Sequence, residues 1–218
     1  MLGFVQSFVL AFGALLPVIN PLGSALMFLG VVGDVPGGEF RQIARRVALS
    51  TVLFLLVIEL AGAMLLAFFG ISLPVVQFAG GLVLAAMGWQ LLNEKYKDEK
   101  AATAADTGIG PVEDKIFYPL TFPITAGPGC IVVTATLSAH ASRHAVAQNI
   151  IAHFGIALAI VALGLAVAVC YTYAPRITGK ISPQTVHGIL RVVAFVLLCI
   201  GVQIGWNGLE AMIRGVPK

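Results

Sequence analysis

Residues 17–24 interrupt an apolar run over residues 4–32, a length that would cross a lipid bilayer as one helix. Pro21 has no backbone N–H and its ring clashes with the preceding helical turn, and Gly23 tolerates backbone angles that other residues avoid. The pattern predicts two half-helices that meet at a short non-helical joint, the first joint. Because an unpaired peptide group is costly in hydrocarbon, this joint must be buried in protein or line a cavity.

A second break of the same kind lies at residues 123–129, the second joint, where two prolines alternate with two glycines. Paired breaks in the two halves of a membrane protein are typical of transporters that bind substrate at the midplane, between discontinuous helices. The alternative is that proline and glycine only kink the helices and let neighbouring helices approach closely.

The composition predicts an integral membrane protein. Of 218 residues, 59% are hydrophobic and 11% are charged, whereas a soluble domain carries about 25% charged residues. The net charge of +3 indicates no nucleic-acid partner, because the basic residues stand where a membrane protein has its loops. The N-terminal run lacks a charged first region and a small-residue cleavage site, which predicts a retained span rather than a signal peptide.

A window of about 20 residues per span predicts an all-α membrane protein with six transmembrane helices. The predicted spans are residues 4–32, 44–69, 73–92, 116–139, 147–173 and 186–212. The one long polar run divides the chain into a first three-helix repeat (1–93), a cytoplasmic linker (94–115) and a second three-helix repeat (116–218).

The two halves share short motifs in the same order. Ile-Ser-Leu-Pro at 71–74 and Gly-Trp-Gln at 88–90 correspond to Ile-Ser-Pro at 181–183 and Gly-Val-Gln at 201–203. Because each copy has three spans, the second copy must enter the membrane from the opposite side. We therefore predict two inverted repeats in which the first helix of each repeat is discontinuous.

Lysine and arginine are unevenly distributed over the loops. Of 13 such residues, only Arg143, Arg214 and Lys218 lie on the side of the termini; the other ten lie in or beside the loops after the first, third and fifth spans. Because cytoplasmic loops are enriched in these residues, both termini are predicted to be extracytoplasmic, in a cytoplasmic (inner) membrane.

The two joints form the candidate substrate site. Each second half-helix begins at a joint, where its N-terminus favours negative charge, and each first half-helix ends there with exposed carbonyl oxygens. Both kinds of helix end suit a zwitterion, and neither joint contains a charged side chain, which fits a small solute of zero net charge. The candidate substrate-binding residues are Asn20, Pro21, Leu22, Gly23, Ser24, Thr125, Ala126, Gly127, Pro128 and Gly129.

Glu59 is the only acidic residue deep inside a predicted span. A carboxylate near the bilayer centre costs about 2.5–3.5 kcal/mol on insertion scales. Gly62, Leu55 and Thr51 share its helix face, which is predicted to face the helix bundle. Glu59 is therefore a candidate for proton coupling or gating. The alternative is a protonated carboxyl that bonds to a backbone carbonyl and takes no part in turnover.

Other polar residues carry weaker signals. Gln90 and Gln203, at equivalent positions of the two halves, are predicted to hydrogen-bond between helices. His140 and His144 lie four residues apart without a nearby carboxylate or thiolate, so no metal site is predicted.

The remaining histidines and the cysteines are predicted to have structural roles. His153 and His187 are predicted to be satisfied polar residues, and the cysteines are predicted to be buried free thiols because all three lie in apolar segments. The sequence has no phosphate-binding loop, paired carboxylates or nucleophile with a base. We therefore predict neither enzyme activity nor a cofactor.

Several of these motifs resemble the MarC family of bacterial and archaeal membrane proteins. The resemblance covers almost the whole chain and rests on Asn-Pro-Leu-Gly at 20–23, on segments 69–74, 79–81 and 123–129, and on Arg191 through Gly-Val-Gln at 201–203. It implies a six-span inner-membrane protein of two inverted repeats, and a transporter of small neutral amino acids such as glycine and alanine. Carried over by position, the implied site is Asn20, Pro21, Gly23, Thr125, Gly127, Pro128 and Gly129.

The chain departs from the family pattern at several positions. Many relatives have Asp in place of Asn20 and Asn in place of Ser24, and such a lost carboxylate would alter ion coupling or substrate preference. Gln77 stands where the family often has Arg. Glu59 has no counterpart in the pattern.

The leading hypothesis is alternating-access transport of a small neutral amino acid, with H⁺ or Na⁺ as the coupling ion. Membrane lipids are the expected neighbours, and a homo-oligomer is left open. One alternative is an exporter of another small metabolite. Another is a passive small-solute channel, because aquaporin-like channels also pair Asn-Pro motifs within six spans. A third is a membrane scaffold that transports nothing.

Overall fold

The computed structural model describes residues 2–33, 35–93, 115–141, 146–178 and 183–215, and all regular structure in these ranges is helical. The α-helices there are α1 (Leu2–Ile19), α2 (Pro21–Val32), α3 (Gly37–Phe68), α4 (Leu73–Asn93), α5 (Pro128–Ala141), α6 (Val146–Thr178) and α7 (Pro183–Arg214). A further helical segment with wide turns, the wide segment, covers Ile116–Thr125. Residues 94–114 of the predicted linker and the Ile-Ser pair at 181–182 lie outside the described ranges.

Four helical stretches in the described ranges are long and apolar enough to cross a membrane. They are Gly3–Val32, Leu73–Asn93, Asn149–Arg176 and Gly188–Arg214, and the wide segment with α5 makes a fifth if the bent pair is one span. Helix α3 is the remaining predicted span, and it carries Arg45, Arg46 and Glu59 along its length. The all-helical class is confirmed, and the sixth span stays a prediction.

The first joint consists of a single residue. Only Asn20 separates α1 from α2: its N–H forms a bond to Leu16 O at the end of α1, and its carbonyl accepts a bond from Ser24 N at the start of α2, both 2.9 Å long. Gly3–Val32 therefore runs as one stretch of 30 residues. The predicted pair of half-helices that meet at a short non-helical joint is confirmed, and one residue suffices because a proline in the first turn of a helix has no N–H to lose from the ladder.

The second joint is a sharp break. The wide segment and α5 meet at 71°. Tyr118 and Phe122 inside the wide segment have extended rather than helical backbone angles, and the N–H of Ala126 bonds to the carbonyl of Thr121, five residues earlier. The prolines at 119 and 123 cannot donate backbone bonds, so this part of the chain cannot form a regular α-helix.

Helices α4 and α7 form the most extensive helix pair, while α1, α2 and α3 pack on α6 and α3 also packs on α5 and the wide segment. Glycines allow the close approach of α4 and α7. A Cβ atom at Gly81 would lie 2.6 Å from the carbonyl oxygen of Gly201 and against the backbone of Gly205. A Cβ at Gly88 would lie 2.6 Å from the backbone nitrogen of Leu198. Small residues at such a contact are typical of packed membrane helices.

This contact predicts opposite effects for two glycine substitutions. Gly81→Ala should lower the free energy of unfolding by about 1–3 kcal/mol, because overpacked backbone cannot move aside as a side chain does. Gly13→Ala is the control, since a Cβ there meets nothing within 4 Å; it should stabilise α1 by up to about 1 kcal/mol through helix propensity. Unfolding in detergent by chemical denaturant measures both, and equal effects would contradict the packing described.

Candidate functional site

The two joints lie against each other. A Cβ atom at Gly129, at the start of α5, would lie 3.1 Å from Cγ1 of Val18, at the end of α1. Helix α4 covers the second joint through Leu84, which is fully buried and close to Gly129. Helix α7 covers the first joint, because a Cβ at Gly23 would lie 2.9 Å from Cδ2 of Leu190. The last helix of each half, α4 or α7, thus covers the joint of the other half.

A cluster of three buried hydroxyl groups, the hydroxyl cluster, connects the joints. The hydroxyl of Tyr171 in α6 lies 2.7 Å from Oγ1 of Thr125 in the second joint. The side chain of Ser24, in the first joint, lies close to the same hydroxyl. Tyr171, Thr125 and Ser24 are 0%, 1% and 4% exposed. One side chain of α6 therefore contacts polar groups of both joints in the protein interior.

Two of the three hydroxyl protons in the hydroxyl cluster are donated to backbone carbonyls. Ser24 Oγ donates to the carbonyl of Asn20 at 3.0 Å, and Thr125 Oγ1 donates to the carbonyl of Leu120 at 2.6 Å. Each hydroxyl has one proton and two acceptor lone pairs, so Tyr171 supplies the proton of its bond to Thr125, and no hydroxyl proton remains for a bond between Tyr171 and Ser24. The three oxygens have more acceptor sites than protons, and the cluster can accept a hydrogen bond from an N–H group of a ligand.

Asn20 shapes the first joint. Its backbone is left-handed, with φ 45° and ψ 67°, and its Oδ1 accepts the N–H of Gly23 at 3.2 Å as the N-cap of α2. Asparagine tolerates this conformation better than most side chains, because its short polar group bonds locally. Gly23 leaves the space for this cap, since a Cβ there would lie 2.9 Å from Cγ of Asn20.

The cap makes the first joint sensitive to substitution at Asn20. Asn20→Ala should lower the free energy of unfolding by about 1–2 kcal/mol, because it removes the cap and places Cβ in a left-handed conformation without compensation. Asn20→Gly should cost less, since glycine adopts this conformation freely and is a tolerable cap. Thermal unfolding of the purified variants decides this, and an equal loss in both would contradict the backbone geometry described.

The other predicted site residues divide into two groups. Those buried beside the joints are Pro21, Gly23, Ala126, Gly127 and Gly129. Leu22 is 44% exposed and Pro128 is also exposed, so the structure does not bring these two side chains to the hydroxyl cluster.

An aromatic layer separates the hydroxyl cluster from a cavity. Phe28 stacks on Tyr171 with ring centroids 4.4 Å apart and meets Phe40 edge-on at 5.2 Å. Phe40 also lines a cavity of about 290 Å³ where α2 ends, α3 begins and α6 ends, together with Arg41 and Arg176. This cavity thus lies at the basic end of the bundle, beyond the aromatic layer rather than between the joints.

Sequence reasoning missed Tyr171. A tyrosine five residues before Arg176, near the end of an apolar span, is typical of the aromatic belt at a membrane interface. Tyr173 fits that pattern, since it is 44% exposed and its ring lies under the guanidinium of Arg176. Nothing in the spacing distinguishes the two tyrosines, and only the packing of α6 against both joints shows which one is buried.

Glu59 faces the bundle as predicted and is 1% exposed. One of its carboxylate oxygens contacts Nδ1 of His153 in α6, and its backbone carbonyl accepts a 2.5 Å bond from Ser138 Oγ in α5. The carboxyl group therefore bonds to an imidazole and not to a backbone carbonyl as in the alternative interpretation. His153 is satisfied, as predicted, but by the acidic side chain that lies deep inside a predicted span.

Two groups of predictions need correction. Gln90 and Gln203 are exposed, and Gln203 Nε2 donates to Asn207 Oδ1 one turn away in the same helix, so the predicted interhelical bond is not formed. The cysteines are free thiols, but only Cys130 is fully buried and Cys199 is exposed. A helix in a membrane buries only one side against its neighbours, so an apolar flank does not predict burial. His144 and the side chains of His140 and His187 lie outside the described part of the chain.

Comparison with known proteins gives one family. The model of the family described as MarC family integral membrane protein matches residues 5–213. The chain is 29% identical to an inner membrane protein named MarC from Salmonella typhimurium, over 98% of this chain and 99% of that protein. Proteins of the same name from Escherichia coli O157:H7 and Citrobacter koseri are 29% and 30% identical over the same shares. No solved structure matches the chain.

Proposed function

Because the chain belongs to the MarC family of integral membrane proteins, we propose that it is a secondary transporter of a small neutral amino acid, resembling glycine or alanine. It works in the cytoplasmic membrane, as the inner-membrane names of its relatives suggest. The observation that carries the proposal is the hydroxyl cluster, in which Tyr171 bonds to Thr125 and lies close to Ser24 where the two joints meet. Intramembrane polar groups that face the bundle interior are typical of substrate pathways.

The chemistry of the joints supports a zwitterionic substrate. Helices α2 and α5 both begin at the joints, and a helix N-terminus favours a carboxylate. The hydroxyl cluster has acceptor sites to spare, which suits an ammonium group. The protein is tightly packed around the glycines at positions 23, 127 and 129, since even a Cβ atom at Gly127 would lie 3.1 Å from the carbonyl oxygen of Pro123. A substrate with a large side chain would therefore not fit beside the joints.

Two features supply a mechanism for alternating access. The cavity at the basic end reaches the aromatic layer, and Phe28 and Phe40 act as the barrier between that cavity and the hydroxyl cluster. Helices α4 and α7 form a tight pair that covers both joints. Movement of this pair relative to the other helices would uncover the joints on one side at a time, which is the expected motion around a fixed midplane site.

The same contacts favour six spans in two inverted repeats. The third helices of the halves, α4 and α7, pack on each other, the first span of each half packs on the second helix of the other half, and the second helices α3 and α6 pack together. A two-fold axis in the membrane plane produces this exchange of partners. In this arrangement α3 is the sixth span, and both termini lie outside the cytoplasm with the basic loops inside.

Counterflow in proteoliposomes tests the proposed function. Vesicles that contain purified protein and unlabelled glycine should accumulate labelled glycine transiently, with saturation and with competition by alanine. Protein-free vesicles and vesicles loaded with a neutral sugar are the controls. Unsaturable flux that ignores the internal solute would indicate a channel, and no flux of any amino acid would indicate a scaffold; either result contradicts the proposal.

A further inference from the structure

Helix α7 carries a row of polar side chains on the side that faces away from α4. Consecutive members are three or four residues apart, so they share one face of the helix, and all of them are exposed or partly exposed. The opposite face carries Gly201, Gly205 and Gly208, which pack on α4. We call this row the polar stripe: Cys199, Gln203, Asn207, Glu210 and Arg214.

The middle of the polar stripe lies at the depth of lipid tails. The span Gly188–Arg214 has 27 residues and is the least buried of the four candidate spans in the described ranges. Gln203 is two residues, about 3 Å, from the middle of that span, and Asn207 is about 9 Å from it. Both positions fall inside a hydrocarbon layer about 30 Å thick, where a side-chain amide that faces lipid has no water to bond to.

The two amides bond to each other with only part of their capacity. Gln203 Nε2 donates to Asn207 Oδ1 at 2.9 Å. Each carboxamide has two N–H donors and an oxygen with two lone pairs, and both side chains are exposed. Donors and acceptors of both amides therefore remain available on the outer side of α7.

The outer side of α6 has a different composition. Its exposed side chains recur at three or four residues and are all apolar in the middle of the span, a face that suits direct contact with lipid tails. They include Ile151, Phe154, Leu158, Val161, Leu165 and Val169. An apolar face of this kind needs no protein cover, whereas the amides of the polar stripe are costly until another protein covers them.

A second copy of this chain has the chemistry that the polar stripe requires. The bias of Lys and Arg over the loops predicts one orientation for every copy, so a two-fold axis along the membrane normal places each residue at the depth of its own counterpart. A carboxamide both donates and accepts, so Gln203 and Asn207 are complementary to the same two residues of another copy. Glu210 and Arg214, which pair one turn apart, add one charge of each sign per copy, and this pattern is also self-complementary.

We propose that the protein forms a parallel homodimer in which the two α7 helices pack along the polar stripe. Hydrogen bonds between the amides of the two copies hold the dimer near the middle of the membrane, as polar side chains commonly do between membrane helices. The hydroxyl cluster lies on other helices, so each copy keeps its own cluster. The dimer goes beyond the proposed function and forms whether or not the protein transports an amino acid.

Oxidative cross-linking of the full-length protein in lipid vesicles tests the interface through a native thiol. Copper phenanthroline should join two copies through Cys199, which is exposed on the polar stripe; Cys199→Ser should lose the cross-link and Cys170→Ser should keep it. Leu165→Cys in the Cys199→Ser protein is the control for chance collision, because Leu165 is 64% exposed on the outer side of α6. A cross-link that survives Cys199→Ser, or that forms equally well from position 165, overturns the proposal.

Single-molecule photobleaching in vesicles, with one dye per chain and a series of protein-to-lipid ratios, measures the dimer without a thiol. The double variant Gln203→Leu with Asn207→Leu should raise the dissociation constant of the dimer by about tenfold, because the bonds between the copies are lost together. Gln90→Leu is the matched control, since Gln90 is also exposed but lies three residues from the end of α4; it should change that constant by less than about twofold. Single bleaching steps for the wild type at every ratio, or equal constants for the wild type and the double variant, overturn the proposal.

Discussion

Tyr171→Phe is expected to lower glycine counterflow roughly tenfold to a hundredfold. The substitution keeps the aromatic ring that stacks on Phe28 and removes the hydroxyl that bonds to Thr125 at 2.7 Å and lies close to Ser24. A buried polar group that loses its partner costs about 1–3 kcal/mol, here Thr125 Oγ1, and a ligand N–H group loses the Tyr171 oxygen as an acceptor. Initial rates of counterflow in proteoliposomes measure the effect.

Tyr173→Phe is the matched control for this prediction. Tyr173 lies two residues further along α6, is 44% exposed and contacts Arg176 through its ring. Because its hydroxyl is not part of the hydroxyl cluster, counterflow should stay within about twofold of wild type. If both variants transport equally well, or lose transport together, the hydroxyl of Tyr171 has no specific role.

Phe28→Ala is expected to lower the free energy of unfolding by about 3–5 kcal/mol, the usual cost of a large aromatic truncation in a packed interior. Phe28 is fully buried and stands between Tyr171 and Phe40. Its loss also removes the barrier between the cavity and the hydroxyl cluster, so surviving folded protein should leak preloaded glycine. Denaturant unfolding measures the first effect and efflux from loaded vesicles the second.

Phe68→Ala controls for the loss of an aromatic ring as such. Phe68 is 80% exposed at the end of α3, and its truncation should change stability by no more than about 0.5 kcal/mol. A Phe28→Ala protein that is as stable as Phe68→Ala, with vesicles as tight as wild type, would contradict the barrier assigned to the aromatic layer.

The sequence was sufficient for the features that depend on local backbone chemistry. Proline and glycine at 123–129 predict a break, and the chain bends there by 71°. The spacing of Thr51, Leu55 and Glu59 predicts one buried helix face, and these side chains are at most 1% exposed. In both cases the cause lies within one helical turn or two of the residue concerned.

The features that depend on contacts between distant helices could not be predicted from the sequence. Tyr171 contacts Thr125 across 46 positions of sequence, and His153 contacts Glu59 across 94. The spacing of residues in the sequence does not identify the partner of either side chain. At the first joint the sequence predicted two half-helices but not that a single residue separates them, because Pro21 is compatible with helix in the first turn of α2.

The most direct test of the central claim is thermal unfolding of the wild-type and Tyr171→Phe proteins in detergent with a panel of amino acids. Glycine, alanine or serine at about a hundred times its dissociation constant should stabilise the wild type by about 2.7 kcal/mol and leave Tyr171→Phe nearly unchanged. No response of the wild type to any small neutral amino acid, or an equal rise in both proteins, would contradict a substrate site at the meeting point of the two joints.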